Sequence, residues 1–129
     1  MNSIDEPELS IIVLTYNRHQ LLRDCLQSLV EQDISSQQME LVVADDGSTD
    51  ATSRVVEEFR RKHPRLVYVR HPHKGIPATR NLGIRHATGR LVAIVADDYI
   101  LAPDYAGTII RFFEENPHAE IVRFKIIAS

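Results

Sequence analysis

The sequence predicts an α/β fold in which helices cover both faces of a mostly parallel sheet. Short runs of almost entirely apolar residues alternate along the chain with longer segments in which apolar residues recur every three or four positions. The short runs are typical of strands buried on both faces, and the longer segments are typical of amphipathic helices. The two patterns alternate four times, which favours parallel strands connected by helical crossovers.

Four apolar runs predict the strands, at residues 9–14, 41–44, 66–69 and 91–96. An additional apolar segment at residues 120–128 predicts one more strand. The opening residues 1–8 are polar and acidic, so we expect a polar N-terminal segment there and a single folded unit at residues 9–129.

Amphipathic stripes predict the helices that separate these strands. The first stripe contains Leu21, Leu22, Cys25, Leu26, Leu29 and Val30. The second contains Ala51, Val55, Val56 and Phe59, and the last contains Tyr105, Ile109, Phe112 and Phe113. The position of Cys25 inside the first stripe indicates a thiol in the protein core.

Residues with special backbone preferences mark where the helices begin and end. Ser48 or Thr49 is suited to cap the second helix, because its hydroxyl accepts a hydrogen bond from a backbone N–H group of the first turn. Proline is favoured at the first helical position, which places helix starts at Pro77 and Pro103. Gly89 then marks the end of the helix that starts at Pro77.

Composition and charge exclude several classes of function. With 43% apolar and 26% charged residues, the 129-residue chain has the composition of one globular domain. Its formal net charge of −3 argues against nucleic acid as a partner, because nucleic-acid-binding proteins usually carry a basic surplus. Cys25 is the only cysteine, so the chain forms no intramolecular disulfide and does not require an oxidising compartment.

The sequence also predicts a cytoplasmic location. The acidic N-terminus, MNSIDEPELS, lacks the basic start and the apolar stretch of a signal peptide. No apolar run approaches the ~20 residues that span a bilayer, so we expect no membrane span in this chain. A longer parent protein is still compatible with association with the inner face of a membrane.

The tetrapeptide Val-Ala-Asp-Asp occurs twice, at residues 43–46 and 95–98. The residues that follow the two copies differ, GSTDAT in one case and YILAPD in the other, which argues against an internal duplication. Each copy instead closes a predicted strand. Because parallel strands end at the same edge of a sheet, where ligands bind in open α/β folds, both acidic pairs are candidates for one ligand site.

Two adjacent carboxylates repel each other, so we expect a ligand or a local hydrogen bond that offsets the repulsion. Two of them ~5 Å apart repel each other by about 3 kcal/mol at an effective dielectric constant of roughly 20. A divalent cation such as Mg²⁺, or a hydrogen-bond donor on a ligand, would offset that repulsion. Simpler alternatives remain open, because Asp45 and Asp46 also suit a turn that caps a helix, and Asp97 and Asp98 a solvated strand end.

The chain resembles the amino-terminal half of an inverting nucleotide-sugar glycosyltransferase of family 2. The resemblance lies in four segments, which are, in order, SIIVLTYNR, ELVVADDGSTD, KGIPATRNLGIRHATG and LVAIVADDYILAPDY. It extends from Leu9 to about Asn116 and implies the Rossmann-like GT-A fold. It also implies transfer of a sugar from a nucleoside diphosphate sugar to a saccharide, a lipid or another hydroxyl acceptor, as in the synthesis of cell-surface polysaccharides.

The resemblance further implies which residues bind the donor nucleotide. They are Thr15, Tyr16, Asn17, Asp45, Asp46, Arg80 and Asp97. The ring of Tyr16 would stack on the nucleobase, while Asp46, together with Asp45, would accept hydrogen bonds from the edge of the base. Arg80 would lie near the phosphates, and Asp97 would contact the ribose.

A divalent metal, Mg²⁺ or Mn²⁺, is implied at Asp98 and Asp97, where it would bridge the two phosphates of the donor. Many relatives have Asp-x-Asp-Asp at this point, whereas Val95 replaces the first acidic residue here, so Asp98 is the favoured ligand. The reaction also needs a general base for the acceptor proton. We expect that base beyond Ser129, which would make this chain the donor-binding part of a longer enzyme.

Three other functions fit the sequence less well. A transferase-like module would bind a nucleotide sugar without activity. A signalling receiver domain also has an acidic pair after a strand of a parallel sheet, although here a full strand and helix precede the first pair. A nucleotidyltransferase would need a glycine-rich loop after the first strand, and LTYNRH contains no glycine.

Two further features have simple structural interpretations. His71 and His73 resemble a pair of metal ligands, but Pro72 lies between them and no third ligand has suitable spacing, which favours a surface loop. Gly83 is expected to permit close packing of its helix.

Overall fold

The computed structural model describes residues 6–120 and shows, within that range, four strands that alternate with four helices. The elements are β1 (Leu9–Thr15), α1 (His19–Val30), β2 (Met39–Asp45), α2 (Thr52–Arg60), β3 (Leu66–Arg70), α3 (Ile76–His86), β4 (Leu91–Ala96) and α4 (Tyr105–Glu115). The four strands predicted between residues 9 and 96 are confirmed. The strand predicted at residues 120–128 lies outside the described residues, except for its first position. None of the helices in the described range is both long and apolar enough to cross a membrane.

The strands form one parallel sheet in the order β3-β2-β1-β4. The chain adds β2 and β3 on one side of β1 and then crosses back to place β4 on the other side. In register, Leu14 pairs with Ala44 on β2 and with Ala96 on β4. The strand order therefore reverses between β1 and β4, and their carboxyl ends flank the switch point at which open α/β sheets bind ligands.

The larger core lies on one face of the sheet. Successive side chains of a strand point to opposite faces, and alternate positions of β1 and β2 pack here against α1, α2 and α4. Its fully buried members include Leu9, Ile11, Val13, Leu22, Cys25, Leu26, Leu29, Leu41, Val43 and Val56. The prediction that Cys25 is a core thiol is confirmed.

Helix α3 covers the opposite face, where Ile12, Val42 and Ala44 form a smaller core. Gly83 makes the close approach of this helix possible. A Cβ atom at this position would lie 2.5 Å from Cγ2 of Ile12 and 3.4 Å from Cβ of Ala44. Because carbon atoms do not approach to 2.5 Å without repulsion, a side chain would push the helix away from the sheet. The predictions of close packing at Gly83 and of helices on both faces are confirmed.

The start of α2 differs from the sequence prediction. The helix begins at Thr52 rather than directly after Ser48 or Thr49, and neither hydroxyl caps it. Asp50 instead supplies the side-chain acceptor, because its Oδ1 lies 3.0 Å from the backbone nitrogen of Thr52. The hydroxyl of Ser48 donates to Asp45 and is therefore used in the preceding turn.

Two further expectations are also corrected. Pro103 does not start α4, because the backbone N–H of Tyr105 bonds to the carbonyl of Ala102 at 3.0 Å and leaves the proline in a turn before the helix. Leu21 is 42% exposed, whereas Leu22 is fully buried. Only the side of α1 that faces the sheet is covered, and Leu21 lies at its margin.

Candidate functional site

Polar side chains meet at the carboxyl edge of the sheet. Thr15 on β1 pairs in register with Asp45 on β2, and Asp45 pairs with Arg70 on β3. Asp97 follows Ala96, the last residue of β4, and its side chain reaches Thr15. The prediction that both acidic pairs lie on one edge of the sheet is therefore confirmed.

Asp97 is fully buried at the switch point between β1 and β4. Its Oδ2 accepts hydrogen bonds from Oγ1 of Thr15 at 2.9 Å and from Nε of Arg18 at 3.2 Å, and its Oδ1 forms an ion pair with the guanidinium of Arg18. Burial raises the pKa of Asp97, despite the hydrogen bond from Thr15 and the charge of Arg18. Apart from this ion pair, Oδ1 makes no hydrogen bond to any residue between 6 and 120.

Asp98 has a different environment from its neighbour. Its side chain is exposed, and no hydrogen bond or ion pair with another residue of the described range engages its carboxylate. Within residues 6–120, no group of three or more His, Cys, Asp or Glu side chains could hold a metal ion without help. Mg²⁺ commonly binds one or two carboxylates and completes its shell with water and substrate phosphates. The exposed carboxylate of Asp98 fits a metal that is shared with a phosphate ligand.

Asp45 is fully buried, and neighbouring groups occupy both of its oxygens. Oδ1 accepts hydrogen bonds from the backbone nitrogen and the hydroxyl of Ser48, at 2.9 and 2.6 Å, and Oδ2 accepts one from the hydroxyl of Tyr68. Burial, helped by the hydrogen bond to this carboxylate, raises the pKa of Tyr68 well above its usual value. These contacts form the turn that the sequence alternative proposed, and the turn places the next residue, Asp46.

Asp46 is 5% exposed and accepts hydrogen bonds from the loop between β3 and α3. Its Oδ1 lies 2.8 Å from the backbone nitrogen of Lys74, and its Oδ2 lies 3.1 Å from that of Gly75. Nε2 of His71 is 3.1 Å from Oδ1. Burial raises the pKa of Asp46, but the hydrogen bonds from this loop outweigh that effect and lower it overall. The result is an ionised carboxylate held in one orientation.

Two aromatic rings stack beside this carboxylate. The ring centroids of Tyr16 and His73 are 4.3 Å apart, and the ring planes are inclined by 25°. Nδ1 of His73 also lies 2.8 Å from Oδ2 of Asp46. Gly47 allows the loop to come this close, because a Cβ atom there would lie 2.8 Å from the backbone nitrogen of His73. Tyr16 is 41% exposed and therefore presents an aromatic surface at the site.

The two remaining predicted residues have contrasting surroundings. Asn17 has a φ of 51°, and its Oδ1 accepts the backbone N–H of Thr49 at 2.7 Å while its own N–H donates to the hydroxyl of Ser48 at 2.8 Å. These bonds connect the loop after β1 to the turn after β2. The side chain of Arg80 is exposed on α3 and makes no hydrogen bond or ion pair with another described residue. The roles of both residues in nucleotide binding stay predictions.

Sequence reasoning did not place four residues in the site, namely Arg18, Tyr68, His71 and His73. The prediction of a loop at His71 and His73 is confirmed, but their contact with Asp46 was not foreseen. A signal was present, because these histidines directly follow β3 and Arg18 follows β1 by three residues. The two histidines and Arg18 therefore belong to the same carboxyl edge as the acidic pairs, whereas Tyr68 lies within β3.

The fold and the site define an α/β domain with an acidic ligand site at the switch point of a parallel sheet. The sequence profile of glycosyl transferase family 2 matches residues 10–127, and the chain belongs to that family. The predicted Rossmann-like GT-A fold is confirmed, since the structural neighbours are glycosyltransferases of that fold. The receiver-domain alternative is wrong.

Curated relatives agree with this assignment. The chain is 32% identical over 108 residues to the putative glycosyltransferase EpsH of Bacillus subtilis. This alignment covers 84% of the chain and 31% of EpsH. The chain is 32% identical over 120 residues to the poly(ribitol-phosphate) beta-N-acetylglucosaminyltransferase TarS of Staphylococcus aureus, covering 92% of the chain and 21% of TarS. The chain thus spans less than a third of the length of either protein.

Solved structures show the same relationship. TarS residues 1–349 from S. aureus in complex with UDP-GlcNAc superimposes with a TM-score of 0.79 at 33% identity, over 84% of this chain and 31% of TarS 1–349. The mannosyltransferase PcManGT from Pyrobaculum calidifontis, in complex with GDP-Man and Mn²⁺, gives a TM-score of 0.76 at 32% identity, over 84% of this chain and 32% of the other.

Proposed function

We propose that this chain is the donor-binding part of a glycosyltransferase and binds a nucleoside diphosphate sugar. The enzyme would transfer the sugar to an acceptor hydroxyl with inversion at the anomeric carbon. The observation that carries the proposal is the arrangement of the carboxyl edge, where Asp97 and Asp98 follow β4 and Asp46 follows β2. Membership of family 2 supports the same reaction. The proposed acceptor is a saccharide, a lipid or another hydroxyl compound.

The nucleobase would bind between Tyr16 and Asp46. The exposed ring of Tyr16 offers a stacking surface, and the ionised carboxylate of Asp46 offers an acceptor for an N–H group on the edge of the base. Both oxygens of Asp45 already accept hydrogen bonds from Ser48 and Tyr68, so its proposed part is to hold the turn that positions Asp46. Asn17 would similarly hold the loop that carries Tyr16.

The ribose and the diphosphate would lie toward β4. Oδ1 of Asp97, which makes no hydrogen bond to another described residue, would accept one from a ribose hydroxyl. Thr15 would keep that carboxylate in place, and Arg80 would be available to a phosphate oxygen. A divalent cation held by Asp98, with Asp97 beside it, would offset the negative charge of the leaving diphosphate when bound. The Mn²⁺ and GDP-Man in the PcManGT complex support this assignment.

Titration calorimetry with UDP and GDP tests the proposal. Binding of at least one nucleotide should occur with Mn²⁺ or Mg²⁺ present and should be lost in EDTA. The Asp98→Asn variant should bind about tenfold more weakly or worse, equivalent to about 1.4 kcal/mol. The matched control is Asp33→Asn, because it makes the same change at an exposed aspartate that follows α1.

Two results would contradict the proposal. The first is nucleotide binding that is unaffected by EDTA and by Asp98→Asn. That result would show that no metal held by Asp98 takes part in binding. The second is absence of binding to either nucleotide in the presence of metal while the chain is folded by circular dichroism. Equal losses in Asp98→Asn and Asp33→Asn would point to a general effect of net charge instead.

A further inference from the structure

The imidazole of His73 makes two contacts at once. Its ring stacks on Tyr16 with a centroid separation of 4.3 Å, and its Nδ1 lies 2.8 Å from Oδ2 of Asp46. The same nitrogen lies 3.3 Å from its hydrogen-bond partner, the backbone carbonyl oxygen of Asp46. Because carbonyl and carboxylate oxygens only accept hydrogen bonds, Nδ1 is the nitrogen that carries the proton. His73 is thus a flat, aromatic N–H donor bound between an aromatic ring and a carboxylate.

These are the two contacts that the proposed function assigns to the nucleobase, which is also a flat ring that stacks on an aromatic side chain and donates through a ring-edge N–H. We propose that His73 occupies the nucleobase subsite in the ligand-free protein and must leave it when the donor binds. This inference rests on the proposed function. It makes His73 a residue that sets donor affinity by competing with the base.

The subsite would survive the departure of the imidazole. The backbone N–H groups of Lys74 and Gly75 both donate to Asp46, and His71 holds Oδ1 from the other side of the loop. The carboxylate would therefore keep its orientation after His73 has moved. Oδ2 would lose one of its two partners and could accept the N–H of a base in the same place.

The imidazole also has room to move. The side chain of His73 is 58% exposed, so it can rotate into solvent without opening the core. A Cβ atom at Gly75, two residues later, would meet nothing within 4 Å, so there is open space beside this loop. In contrast, His71 has a side-chain exposure of 12% and contacts Thr79, so it belongs to the fixed part of the site.

Competition of this kind predicts a gain of affinity when the imidazole is removed. The aromatic stack and the contact of Nδ1 with Asp46 must be broken before the base can enter, so His73→Ala should bind UDP or GDP about two- to tenfold more tightly than the wild type. His73→Phe should show a smaller gain, because phenylalanine can stack on Tyr16 but cannot donate to Asp46. The exposed His118, replaced by alanine, is the matched control and should leave affinity unchanged.

Calorimetry of UDP and GDP in the presence of Mn²⁺ separates the possible outcomes. Tighter binding by His73→Ala supports the inference. Wild-type binding with equal or weaker binding by His73→Ala overturns the inference and leaves the proposed function intact. Absence of nucleotide binding by both the wild type and His73→Ala overturns the inference and the proposed function. Removal of the imidazole would then have exposed no site that binds a base.

A second measurement uses the unaltered chain and does not depend on how the variants fold. In NMR spectra, the imidazole protons of His73 should carry the ring-current shift of a stacked tyrosine. That shift should disappear as UDP or GDP is added at concentrations that saturate the site. Persistence of the shift in the saturated complex would overturn the inference, because it would show that His73 remains stacked on Tyr16 while the nucleotide is bound.

Discussion

The hydroxyl of Thr15 donates a hydrogen bond of 2.9 Å to Oδ2 of Asp97, and both side chains are almost completely buried. The bond joins the last residue of β1 to the first residue after β4. It therefore crosses the switch point of the sheet and helps to orient a carboxylate whose other donor among residues 6–120 is Arg18.

Replacing Thr15 with valine should destabilise the protein. The change keeps the shape of the side chain but removes a donor to a buried carboxylate, which should lower the free energy of unfolding by about 1–3 kcal/mol. Urea denaturation followed by circular dichroism measures the difference. Thr15→Ser retains the hydroxyl and should recover most of the loss, and an unchanged midpoint for Thr15→Val would contradict the importance of this bond.

Two glycines on helices should respond in opposite ways to substitution by alanine. Gly83→Ala places a Cβ atom 2.5 Å from Ile12 and should cost about 1–3 kcal/mol through overpacking. In Gly107→Ala the nearest atom, on Ile34, lies at an ordinary 3.6 Å, so the higher helix propensity of alanine should stabilise α4 by up to about 1 kcal/mol. Thermal or urea unfolding of the pair provides the test, and similar shifts for both would contradict the packing argument.

Asp50 should make stability depend on pH in the acid range. Burial raises its pKa, but hydrogen bonds from Thr52 and His19 outweigh burial and lower the pKa from 3.8 to about 2. A depressed pKa means that the stabilisation is present above the ordinary value and is lost as the pH falls toward 2. The shift corresponds to about 2 kcal/mol.

Unfolding of Asp50→Asn measures this contribution. The variant should be less stable than the wild type at pH 7 by about 2 kcal/mol, and the difference should shrink toward pH 2, where the wild-type carboxyl is also protonated. Asp24→Asn, at an exposed position of α1, is the control. A constant difference across the pH range would show that titration of Asp50 is not its source.

Cys25 should be almost unreactive in the folded protein. Burial, with the nearby charges of Asp97 and Asp98, raises the pKa of its thiol to about 12, and the side chain has no exposed surface. Alkylation by iodoacetamide at pH 8 should therefore be about a hundredfold slower, or more, than in urea. Mass spectrometry of the modified chain measures both rates, and equal rates would place Cys25 outside the core.

Much of the fold was predictable because its signals are local. The strand at residues 91–96 has the predicted bounds, and the stripe formed by Val55, Val56 and Phe59 is buried as the spacing indicates. The start of α2 was not predictable in the same way, since Ser48, Thr49 and Asp50 are all favourable near a helix start. Ser48 is used by the buried Asp45, which the sequence does not show.

Three features can be read from the sequence alone, namely the alternation of strands and helices, the parallel class of the sheet and the edge at which both acidic pairs lie. These features follow from the periodicity of apolar residues and from chain direction, which neighbouring residues specify. The contacts of each carboxylate, in contrast, depend on how distant parts of the chain pack together. Asp45 and Asp46 are adjacent and chemically identical. Asp45 accepts a hydrogen bond from Tyr68, whereas Asp46 accepts one from the backbone of Lys74, 28 residues further along the chain. Strand order and helix packing bring such distant groups together, and local sequence patterns do not specify those contacts.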